Sequence, residues 1–142
     1  MENKERDNFF YINWEDSHQR PHRIGLIAQI DNVYYLKMNN KENATSAYNH
    51  GCIGIPGFQN DRVYRSEELF DFFKRRILKK ESQNVFEELR ETQGRSMVDS
   101  FFVEEVPERL RGKCKQLVLD LYRNQEEMDK IIDETLTPSL FL

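Results

Sequence analysis

The chain has few groups that act chemically by covalent or metal-centred means. Cysteine occurs only at Cys52 and Cys114 among 142 residues. Two cysteines far apart in dissimilar contexts give neither a disulfide framework nor a CxxC motif, so buried, reduced thiols are expected. Histidine occurs only at His18, His22 and His50. His18 and His22 have a metal-compatible interval, but no cysteine or carboxylate pair stands at a matching spacing. Turn or surface roles, and no metal site, are therefore expected. Apolar runs are short, which excludes a transmembrane helix. The charged start Met1-Glu2-Asn3-Lys4-Glu5-Arg6-Asp7 lacks the apolar segment of a signal peptide, so a cytoplasmic location without membrane contact is expected. A net charge of -4 is too small to drive binding to nucleic acid or to an anionic membrane, so any such contact must be local.

What the chain does have is an aromatic core under a charged surface. Aromatic residues make up 12% and charged residues 32%, which argues for a folded, soluble domain rather than a disordered chain. The length fits one domain plus an appendage. Phe9 to Trp14 reads as a strand, with the polar turn Glu15 to Pro21 after it. Arg23 to Ile30 reads as a second strand, Asp31-Asn32 as a tight turn, and Val33 to Met38 as a third strand, together an antiparallel meander. Asn39 to Asn43 is a polar connection. Ala44 to Asn49 is expected as a short helix stopping at His50-Gly51. Gly51-Cys52-Ile53-Gly54-Ile55-Pro56-Gly57-Phe58 has the glycines of a phosphate cradle but not its Gly-Lys-Ser/Thr ending, and reads as a tight apolar turn.

A helix is expected from about Glu67 to Lys80. Ser66 would be its N-cap, Glu67 and Glu68 would lie in its first turn, and Leu69, Phe70, Phe73 and Ile77 would share one face. Lys74, Arg75, Arg76, Lys79 and Lys80 would match the negative end of its dipole, and are the one local candidate for phosphate or an acidic partner. A second helix is expected from Ser82 through Gln93, with Val85, Phe86 and Leu89 inward, and a returning strand is expected within Met97 to Val103. From Pro107 on the pattern is helical. Leu110, Cys114, Leu117, Val118, Leu121, Met128, Ile131 and Ile132 are expected on one face, and Glu126, Glu127, Asp129, Lys130, Asp133 and Glu134 on the solvent side.

No catalytic constellation is legible, and no cofactor is expected. Cys52 and Ser66 lack an identifiable base, and Ser66 serves better as a cap. The acid pairs Glu15-Asp16, Glu67-Glu68, Glu87-Glu88 and Glu126-Glu127 are adjacent residues, which on a helix diverge, and read as solvated faces. The expected fold is α/β of the α+β kind. It has a small antiparallel meander sheet packed by two to three helices over residues 1–106, and a C-terminal amphipathic helix and apolar tail over residues 107–142.

The order of parts resembles the N-terminal subdomain of HipA-type serine/threonine kinases over about Phe9 to Val106. The matching parts are the Gly-bearing strand Ile24-Gly25-Leu26, the aromatic strand Tyr34-Tyr35-Leu36 and the proline turn Gly54-Ile55-Pro56-Gly57-Phe58. They continue with Tyr64 ahead of Phe72-Phe73, Phe86-Glu87-Glu88-Leu89, Gly94-Arg95-Ser96-Met97 and Phe101-Phe102-Val103. The family's Leu-Leu-Pro is replaced by Lys74-Arg75-Arg76-Ile77-Leu78, and the kinase lobe is absent. The resemblance implies a free-standing subdomain of a split bacterial toxin-antitoxin system, a non-enzymatic antitoxin-like protein that pairs with a separate kinase subunit and restrains it. The Tyr64 to Arg76 pattern also resembles a segment ahead of HIRAN domains, which implies a nucleic-acid-associated or phage-defence accessory module. Nucleic acid would then be reached only through a complex. The expected partner-binding residues are Tyr64, Phe70, Arg75, Arg76, Leu121, Met128, Ile132, Leu140, Phe141 and Leu142, with self-association through the C-terminal helix as a further expectation.

Overall fold

The computed structural model describes residues 7–39, 45–75, 85–95 and 99–136. Asn8–Glu15 (β1), Pro21–Ile30 (β2) and Val33–Met38 (β3) form the expected antiparallel meander. The β2–β3 connection is two residues long. Asp31 and Asn32 both have positive φ, 52° and 66°, which is the backbone twist that a two-residue hairpin loop requires and that Asp and Asn tolerate. Val63–Ser66 (β4) adds outside β3 and Phe101–Glu105 (β5) adds outside β1, giving the order β4-β3-β2-β1-β5 with every pairing antiparallel. Among the described residues the helices are Thr45–Asn49 (α1), Asp71–Lys74 (α2), Val85–Thr92 (α3) and Glu108–Leu136 (α4). The fold is α+β.

Strand alternation divides the core in two. On one face Phe10, Ile12, Ile27, Leu36 and Met38 meet Ala47 of α1, Cys52 and Ile55 of the glycine-rich loop, Leu69, Phe73, Phe86 and Leu89. Phe10, Leu36, Phe73 and Leu89 are all but fully buried, and each contributes about 1.5–3 kcal/mol of apolar burial. On the other face Phe9, Ala28, Ile30, Tyr35 and Val63 are covered by α4 through Val118, with Leu110, Cys114, Leu121 and Tyr122 packed around it.

A bulge in β2 sets what stands at the end of the sheet. Ile12 pairs with Gly25 but Asn13 pairs with Arg23, so Ile24 is an extra residue. An inserted residue reverses the facing of everything beyond it. Ile24 therefore joins Ile27 in the first core, and His22 follows it, side by side with its register partner Trp14. Arg23 is turned to the opposite face, where its guanidinium lies 3.5 Å over the Tyr11 ring and bonds Glu104 at 2.9 Å. Gly25 is needed here because a Cβ would come within 2.9 Å of the Lys37 carbonyl oxygen.

The structure corrects several expectations. Val63 to Ser66 is a strand, and Ser66 is not a helix N-cap. Its hydroxyl instead accepts the Glu68 N–H at 3.0 Å, and the position before α2 is Phe70, without a side-chain cap. Pairing of residues 63–66 along β3 outweighs the cap and first-turn signals, which fit a bend equally well. Leu69 and Phe70 thus precede the helix, and residues 76–84 lie outside the described set. The returning strand begins later than expected, at Phe101, and residues 96–98 are likewise not described. Leu117 does not share the covered face of α4 but is 57% exposed, and Asp129 is not purely solvated, since it bonds Arg62 at 2.7 Å. Two members of the acid pairs, Asp16 and Glu88, are buried rather than solvated.

Candidate functional site

The expected partner-binding residues fall into separate groups. Tyr64 belongs to the first face. Its ring lies 4.9 Å from Phe58, which also meets Phe70 at 5.5 Å, so both residues close over the glycine-rich loop. The Tyr64 hydroxyl accepts the Gln59 N–H at 2.8 Å. Arg75 is exposed and donates to the Asp71 carbonyl at 3.4 Å. Its neighbour Lys74 pairs with Glu68 at 3.1 Å, so the described part of the basic cluster is partly neutralised within the chain. Arg76, Leu140, Phe141 and Leu142 lie outside the described residues. Leu121, Met128 and Ile132 belong to α4, over the second face of the sheet.

α4 has two halves of different character. As far as Tyr122 its inner face is packed on the sheet. Next comes Gln125, whose side-chain carbonyl accepts the Val63 N–H at 2.8 Å while its amide donates to the Val63 carbonyl at 2.9 Å. This side chain satisfies the outer edge of β4 as a paired strand would. Arg62 and Asp129 close the same corner, with the Arg62 guanidinium held above its ordinary value by that hydrogen bond. Past this corner Met128, Ile131 and Ile132 are 59%, 58% and 44% exposed. With Leu117 and half-buried Leu121 they follow helical spacing along one side of the helix. Glu127 and Glu134 border this side of the helix next to Ile131, while Glu126, Lys130 and Asp133 lie on the opposite side.

A second assembly lies beside the β1–β2 turn, on the first face of the sheet. Asp16, just after β1, is buried, and its Oδ1 accepts the backbone N–H groups of His18 at 2.8 Å and Arg20 at 3.0 Å. Its Oδ2 lies 2.8 Å from Nε2 of His22. Those contacts, first the His22 bond and then the Arg20 N–H, hold the Asp16 carboxyl well below the usual carboxylate range against the opposing effect of burial. A depressed carboxyl stabilises the fold above its ordinary pKa and ceases to do so as acid protonates it. The His22 ring lies between Trp14, 5.7 Å away, and His50, 5.3 Å away. His50 follows α1 and its Nδ1 lies 2.7 Å from the Ser46 carbonyl. The histidine interval in the sequence marked His18 with His22. The structure leaves His18 exposed in the turn and brings Asp16, His22 and His50 together.

The two thiols are held protonated by burial, which raises both Cys52 and Cys114. Neither is in a disulfide. Among the described residues no helix is long and apolar enough to cross a membrane. No protein-family model, no curated protein and no solved structure matches this chain.

Proposed function

We propose that this chain is a non-enzymatic regulatory protein that pairs with a HipA-type kinase subunit and restrains it, in the bacterial cytoplasm. The observation that carries the reading is the exposed apolar side of α4 beyond Gln125. A helix that served only to cover the sheet would have no use for Met128, Ile131 and Ile132 past the last packed turn. The sequence supports the choice of partner, through the likeness of residues 9–106 to the kinase subdomain in the order of its parts.

The acidic rim narrows the partner surface further. Glu127 and Glu134, which border the apolar side, fit an apolar groove edged by Arg or Lys, the helix-in-groove mode of recognition. A second copy of the same helix would bring like charges together and is disfavoured by the same rim. Co-expression with a HipA-type kinase encoded beside this gene tests the proposal. The expected result is a stable heterocomplex that co-elutes in size-exclusion chromatography and is lost in the Met128→Asp/Ile132→Asp variant, while the chain alone runs as a monomer. A chain that dimerises through α4, or a kinase that elutes separately from it, overturns the proposal.

A further inference from the structure

We propose that Asp16, His22 and His50 form a binding site for a divalent transition metal, with zinc as its natural occupant, which ties α1 to the β1–β2 turn. One ligand atom from each of the three lies within 4.8 Å of the other two. In a tetrahedral zinc site with metal–ligand bonds of about 2.0–2.2 Å, ligand atoms stand about 3.3 Å apart. The 2.8 Å between Asp16 Oδ2 and His22 Nε2 would therefore open slightly, and His50, exposed at the end of a short helix, would swing inward. Two imidazoles and one carboxylate suit zinc and its transition-metal neighbours and do not suit magnesium or calcium, which take oxygen ligands.

Two of the three ligands, His50 and Asp16, have the surroundings that a metal site requires. His22 Nε2, whose N–H donates to Asp16 without metal, would give up that proton to Nδ1 or to solvent on binding. Metal-bound histidines donate their second ring N–H to a carbonyl or carboxylate, which fixes the tautomer. The His50 Nδ1–H donates to the Ser46 carbonyl, leaving Nε2 with its lone pair. Ligating carboxylates are themselves oriented by hydrogen bonds. Asp16 Oδ1 is held by two backbone N–H groups of its own turn, and Oδ2 is turned toward the imidazoles. Trp14 walls one side of His22. The bulge at Ile24 is what puts His22 on this side of the sheet, since without it Arg23 would stand there and repel a cation. This site is independent of the partner-binding reading, which concerns α4 on the second face of the sheet.

The test is titration of the untagged full chain with zinc chloride by calorimetry, and with cobalt(II) followed by its visible absorption. The expected result is one metal per chain, the intense bands of four-coordinate cobalt, and a melting temperature that rises with zinc concentration. His50→Ala and His22→Gln should each weaken binding at least about tenfold, since loss of even an outer-sphere partner costs 10–100-fold. His18→Ala and Cys114→Ser should leave it unchanged. His50 is exposed, so its variant keeps the fold and decides the matter even if His22→Gln does not fold. Failure to bind zinc stoichiometrically, equal affinity in His50→Ala, or binding abolished by His18→Ala overturns the proposal.

Discussion

The two faces of the sheet are closed in different ways. The first is covered by short pieces from four parts of the chain, α1, the glycine-rich loop, the segment from Leu69 through α2, and α3, each supplying one or two buried side chains. The second is covered by one 29-residue helix that supplies one fully buried residue, Val118, and a partly buried border. A face assembled from many small contributions has no surplus, because each element ends where its contact ends. A single long helix is free to continue past what it covers, and α4 does so. The apolar surface it keeps exposed is therefore evidence about binding, whereas the aromatics of the first face are accounted for by packing.

This contrast yields predictions of decreasing size. Phe10→Ala, at the centre of the first face and stacked 5.3 Å from Phe86, should lower unfolding free energy by about 3–5 kcal/mol in denaturant titration. Val118→Ala removes two buried methyl groups from the thinner second face and should cost about 2 kcal/mol. A loss as large as that of Phe10→Ala would show that the second face carries as much of the fold as the first. Gln125→Ala leaves the edge of β4 to water and should cost about 1 kcal/mol, with faster amide exchange at Val63. Met128→Ser and Ile132→Ser should each change stability by no more than about 0.5 kcal/mol, as exposed positions do, while weakening partner binding. A large drop in melting temperature from either change would place it in the core.

Local signals made the meander legible. Alternating apolar residues, the Asp31-Asn32 turn and the glycine-limited end of α1 all act within a few residues, and each element stands where those signals place it. β4 was hidden because Tyr64-Arg65-Ser66-Glu67-Glu68 carries a helix-start signal, and only pairing with β3 decides otherwise. The later start of β5 has the same origin, since its register is set by Phe101 opposite Trp14. Of the two candidate sites, the apolar side of α4 was legible from helical periodicity alone. The grouping of Asp16, His22 and His50 was not, because it depends on a one-residue bulge and on where α1 docks, neither of which leaves a pattern at the histidines themselves. Asp16 in particular reads as half of a solvated acid pair until the turn folds around its carboxylate.

α4 is core in its first half and, on the reading proposed above, interface in its second, and amide hydrogen exchange along α4 tests this most directly, measured for the chain alone and with the HipA-type kinase subunit proposed as its partner. Protection near Val118 should be the same in both samples, and protection from Glu126 to Glu134 should be low in the isolated chain and rise in the complex. A second half already as protected as the first in the isolated chain, or one that the kinase leaves unchanged, would contradict the account.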